Sequence, residues 1–127
     1  MNNARPLAIF AVVVGIMLLI VWLYLSLSGG IPDYQFHPTE SAFHLAVEFC
    51  TALMLIISGF RVLFSDGQGE GMLLLSMGML FYTLVNTTGY YMEKAGNILL
   101  AVNFFLLAPA IYLTIHAFHG SQKKSNQ

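Results

Sequence analysis

Hydrophobic residues fall into four long runs along the chain, each closed by a short cluster of glycine, proline and polar residues. The first run, "LAIFAVVVGIMLLIVWLYLSL", carries no charge. It exceeds the ~20 residues that take a helix across a hydrocarbon core. It is also longer than the ~7–15 apolar residues of a cleaved signal, and no A-x-A-like site follows it, so it reads as a retained helix. "SGGIPDYQFHP" and "SDGQGEG" supply the breaks on either side of the second run. Together the pattern predicts helices over about residues 6–28, 39–64, 71–91 and 96–118, with a frayed polar tail at about 119–127. Thr39 is the expected N-cap of the second helix, and Pro109 inside the fourth is expected to kink it.

Connections this short make consecutive helices antiparallel neighbours. The expected fold is therefore all-α: a transmembrane four-helix bundle, up-down-up-down, in a single domain over residues 1–127. Composition agrees, since 57% of the residues are hydrophobic and only 9% are charged. A soluble domain needs roughly 25% charged residues to cover its surface. The lipid bilayer is thus the first expected partner. Net charge is near zero without a basic block, which excludes a nucleic-acid footprint. Cys50 is the one cysteine and reads as a small apolar residue.

The few cations set an expected orientation. Arg5, Arg61, Lys123 and Lys124 share one side in the four-span arrangement, and only Lys94 lies on the other. The positive-inside tendency places both termini in the cytoplasm. Trp22, Tyr24, Tyr34, Tyr90 and Tyr91 are the expected outer aromatic belt.

Polar groups inside the runs collect on that outer side. In "HPTESAFHLAVEFCTA", residues 37–52, His44 and Glu48 stand four apart and so share a helical face. On the third helix Tyr82, Asn86 and Tyr90 repeat the same spacing, and on the fourth Asn103 falls near the level of Glu48. These six residues are the candidate ligand-binding site. Ser58, Ser76 and Thr114 are the weaker polar groups of the inner half, and Gly15, Gly71, Ser76 and Gly78 are small enough to allow close helix approach within the bundle or between protomers. No catalytic triad, phosphate-binding loop or thiol pair is present.

"FHLAVEFCTA", residues 43–52, and "GMLFYTLVNTTGYY", residues 78–91, resemble sequences of small uncharacterised four-helix integral membrane proteins of bacteria and archaea. In those proteins a His-x-x-x-Glu helix start precedes a Gly-Met-Leu…Tyr-Tyr helix. The resemblance covers the second and third helices and implies the four-helix membrane fold, without an activity.

Several readings of the polar cluster stay open. As a metal site it offers His44 and Glu48 as ligands for a divalent ion, with His37, Glu40 and Glu93 nearest as additions. As a pocket for a lipophilic molecule it offers hydrogen bonds to a quinone or lipid head group. Either makes the protein a non-enzymatic binding module or an accessory subunit of a homo-oligomer or larger membrane complex. Alternatives are a minimal redox or proton-transfer enzyme using the His44–Glu48 pair, and a structural or assembly protein whose polar groups only hold helices together. A two-histidine haem is disfavoured, because His116 and His119 lie at the opposite end from His44 and read as interfacial.

Overall fold

In the computed structural model each apolar run is one helix: α1 (Arg5–Ser28), α2 (Pro38–Phe64), α3 (Glu70–Glu93) and α4 (Asn97–Ser125). The structure describes residues 4–30, 35–65, 68–93 and 97–125, without the side chains of 90, 91, 93, 97, 99, 124 and 125. Among the described residues there is no strand. All four helices are long and apolar enough to cross a membrane.

The ends follow local backbone chemistry. Pro6 sits in the first turn of α1, where its missing N–H would have had no helical partner. Gly29 ends α1 in the left-handed region at φ 68°, a conformation that glycine adopts without a Cβ penalty. α2 begins one residue before the expected start. Pro38 takes the first position and His37 the cap position, so Thr39 lies inside the helix rather than capping it. Glu40 stays in the first turn, as the helix dipole favours.

α4 departs most from expectation. It continues past Phe118 to Ser125 and takes in most of the segment predicted to fray. Gln122, Lys123 and Lys124 are good helix formers, and two lysines near a helix C-terminus complement its dipole. The helix also runs unbroken through Pro109.

Consecutive helices pack together, α1 on α2 most extensively, and α4 closes on α1 along a narrower seam. Gly15 faces Ala52 while Gly59 faces Ala8, so numbers fall on α2 as they rise on α1. Ser58 pairs with Ser76 and Asn103 with Thr88, which gives the same antiparallel sense to the next two seams. The bundle is therefore up-down-up-down. Its apolar core joins Leu7, Leu55, Leu73, Met77 and Leu80, closed from α4 by Ala110 and Ala117.

The α1–α2 seam is built on missing side chains. A Cβ on Gly15 would stand 2.7 Å from Ile56 Cγ1 and 2.8 Å from the Ala52 carbonyl oxygen. One on Gly59 would stand 2.6 Å from Val12 Cγ2 and 2.8 Å from the Ala8 carbonyl oxygen. The two contacts are reciprocal and let the backbones meet, the role small residues play between apolar helices. Gly71 and Gly78, expected to do the same on α3, have nothing within 4 Å of such a Cβ. They face outward.

The difference predicts opposite responses to added bulk. Gly59→Leu pushes directly on the backbone of α1, and overpacking of this kind costs about 1–3 kcal/mol. Gly71→Ala meets open space and leaves stability unchanged or slightly raised. Thermal unfolding of the two variants in detergent checks the contrast, and equal losses would contradict the close seam.

Candidate functional site

Among the described residues one carboxylate is buried, in the half of the bundle where α1 ends and α2 begins. Glu48 lies on the inward stripe of α2 with Thr51, Leu55, Ser58 and Val62, and is only 3% exposed. That stripe repeats every three or four residues, so the fold that buries Leu55 also buries Glu48. Both of its oxygens face donors. The Trp22 indole of α1 donates to Oε2 at 3.3 Å, and the Thr87 hydroxyl of α3 donates to Oε1 at 3.5 Å. His44 Nε2, one turn away on α2, stands 3.8 Å from Oε1, within ion-pair range but beyond a hydrogen bond. Its ring meets the Trp22 ring edge-on at 5.5 Å and 78°. Three helices thus converge on one side chain.

His44 and Glu48 are brought together as their spacing implies. Trp22 is part of the same cluster and is 7% exposed, so the residue expected in an aromatic belt points into the bundle instead. Asn103 lies close by but serves a different node. Its Nδ2 donates to Thr88 Oγ1 at 3.4 Å, and Thr88 in turn donates to the Leu84 carbonyl at 2.7 Å. Tyr82 and Asn86 are not brought to Glu48. Both are exposed, and Tyr82 borders a shallow apolar groove of about 440 Å³ with Val47, Gly78 and Met79. Tyr90 and Glu93 have side chains outside the described set.

The residues missed in the sequence are Thr87 and Thr88, next to the Asn86 that was singled out. A usable signal was present. The inward face of α3 follows Leu73, Ser76, Leu80, Thr83 and Leu84, and Thr87 continues that phase. Tyr82 and Asn86 lie on the other side of the helix. In the opposite half of the bundle, Ser58 and Ser76 form a buried hydroxyl pair at 2.9 Å, a direct α2–α3 bond. Thr114 turns back on its own helix, donating to the Ala110 carbonyl.

A structural zinc site takes four ligands, and no group of three or more His, Cys, Asp or Glu side chains comes together among the described residues. The Trp22 N–H is aimed at Oε2, on the side of Glu48 that faces α1. No buried side-chain nitrogen or oxygen among the described residues lacks a hydrogen-bond partner. The cluster is consequently a closed, hydrogen-bonded carboxylate, with His44, whose side chain is 33% exposed, as its part that reaches the surface.

Fold and site together define a class: an all-α bundle of four helices of membrane-crossing length, tied at one end by a buried carboxylate. Within it, the chain belongs to the family described as Domain of unknown function (DUF8058), which matches it over residues 1–127. No curated protein and no solved structure matches the chain.

Removing the indole donor tests the cluster. In Trp22→Phe one oxygen of a buried acceptor loses its partner, which costs about 1–3 kcal/mol. Thr87→Val should cost less, because its bond is at the long limit of 3.5 Å. Unfolding of both variants against the parent chain measures the order, and a neutral Trp22→Phe would mean that the indole bond contributes nothing.

Proposed function

We propose that this is a multi-pass protein of the prokaryotic inner membrane, with both termini in the cytoplasm. In this reading it acts as a non-enzymatic binding module or accessory subunit, and its ligand is a small lipophilic molecule with a hydrogen-bonding head group, of the quinone or lipid class. The carrying observation is the arrangement of His44, half-buried at the outer end of α2 with the enclosed carboxylate of Glu48 behind it. The imidazole offers one nitrogen to Glu48 and leaves the other for a carbonyl or phosphate oxygen of a ligand. Glu48 fixes the side that His44 presents, and Trp22 walls the site with an aromatic face. Pockets between bundle helices commonly have this composition, with few polar groups among apolar walls.

Purification in mild detergent followed by organic extraction and mass spectrometry tests the reading. A quinone or lipid should co-purify in stoichiometric amount with the parent chain. His44→Ala should retain about tenfold less, equivalent to about 1.4 kcal/mol of binding. A chain that carries no lipophilic molecule, while His44→Ala and Glu48→Gln unfold like the parent, would reduce the cluster to a device for helix registration. Elemental analysis of the same sample reports on a divalent metal, and a stoichiometric ion lost in both variants would replace the lipophilic ligand with a metal.

Orientation has its own test. A cysteine placed at Gln68, between α2 and α3, in a Cys50→Ser chain should resist a membrane-impermeant thiol reagent in intact cells and react after permeabilisation. Labelling of intact cells would invert the topology.

A further inference from the structure

α3 carries two polar side chains that the Glu48 cluster leaves unused. Asn86 and Tyr82, one turn apart, are exposed, and neither has a hydrogen-bond partner among the described residues. Asn86 lies seven residues before the end of α3 at Glu93, which at ~1.5 Å per residue is about 10 Å in from that end. At this depth in a membrane-crossing helix an amide meets hydrocarbon, where a polar group without a partner is strongly disfavoured. Its surroundings on the same face are Leu75, Gly78, Val85 and Gly89, all exposed. A Cβ on Gly78 or Gly89 would meet nothing within 4 Å among the described residues, so none of these requires either to be small.

We propose that this face of α3 docks a second copy of the chain, α3 against α3, with the two Asn86 amides hydrogen-bonded across a two-fold axis. Copies inserted in the same direction can be related only by an axis along the membrane normal, so each residue meets its counterpart at its own depth. A carboxamide is both donor and acceptor and is therefore complementary to itself. A lipid tail or an apolar helix of another protein would leave Asn86 unsatisfied; a second copy supplies the missing group at the required depth. The shallow groove bordered by Gly78, Met79 and Tyr82 gives the partner helix a seat, and the open glycines let the backbones approach. This surface is separate from the His44–Glu48 cluster and shares with the proposed function only the membrane-crossing reading.

Cross-linking and association measurements on the full chain decide it. In a Cys50→Ser background, Val85→Cys should form a disulfide-linked dimer on mild oxidation in native membranes, and Phe105→Cys, exposed on α4, should not. In detergent, Asn86→Leu should weaken dimerisation about tenfold, while Asn86→Gln, which keeps the amide, should recover part of it. Gly78→Ile should abolish the dimer yet unfold at the temperature of the parent monomer, since its side chain meets open space within the chain. A parent chain that stays monomeric, equal cross-linking from Phe105→Cys, or an unchanged dissociation constant in Asn86→Leu would overturn the dimer. Carbonate extraction of the membranes separates the two readings. A retained monomer overturns only the dimer, and a chain released by carbonate overturns both.

Discussion

The position of Glu48 is the constraint from which its half of the bundle follows. A carboxylate inside an apolar helix needs donors, because an ionisable group at the centre of a membrane helix costs ~2.5–3.5 kcal/mol even on lenient insertion scales. Here the donors come from other helices, Trp22 of α1 and Thr87 of α3. A bond from each side fixes the rotation of α1 and α3 about their axes relative to α2. It also requires α1 to lie close enough for an indole to reach across. Gly15 and Gly59 provide that closeness along the length of the seam. The glycine contacts and the carboxylate are two parts of one arrangement, since loosening the seam would withdraw Trp22 from Oε2.

The two ends of the bundle are held by different forces. At the end where α1 begins, Leu7, Leu73 and Ala117 bring α1, α3 and α4 into apolar contact, and the short Ser58–Ser76 pair is a buried polar bond between α2 and α3. At the opposite end polar contacts dominate, with Glu48 joining α1, α2 and α3, and Asn103 joining α3 to α4 through Thr88. Apolar contact between helices has little driving force where lipid tails are the solvent, so packing and hydrogen bonds must supply register. Polar bonds are directional, so the Glu48 end is where helix phase is specified and where a change at one side chain propagates to three helices.

The helices themselves were legible because long uncharged runs and Gly/Pro breaks leave few alternatives. His44 and Glu48 were legible for the same reason, as ionisable groups in an apolar run at helical spacing. The phase of α3 was not. Tyr82, Asn86 and Tyr90 form a regular stripe, but so do Ser76, Thr83 and Thr87, and on a helix with polar groups on both sides polarity alone does not say which side is inward. Leu73, Leu80 and Leu84 settle it by burial, a signal weakened in the sequence because leucines occur all round the helix. Trp22 was misplaced because an aromatic near a helix end fits a belt as well as a core. Only the partner across the seam distinguishes them. The extension of α4 was hidden by polarity, which lowers hydropathy without lowering helix propensity.

The chemistry of the cluster bears on why a glutamate is used at all. A glutamine could accept from Trp22 through its carbonyl and donate to Thr87 through its amide, and would hold the three helices equally well. It could not exchange a proton. In Glu48 the indole N–H is a donor only, which keeps Oε2 as an acceptor. Oε1 faces Thr87 and His44 Nε2, and a hydroxyl and an imidazole can each donate or accept. Oε1 therefore faces the two groups whose protonation can change sense, and the half-buried imidazole is the one that reaches the surface. The imidazole, 3.8 Å from Oε1, is the neighbour through which a change at the surface of α2 would reach the carboxylate that joins three helices.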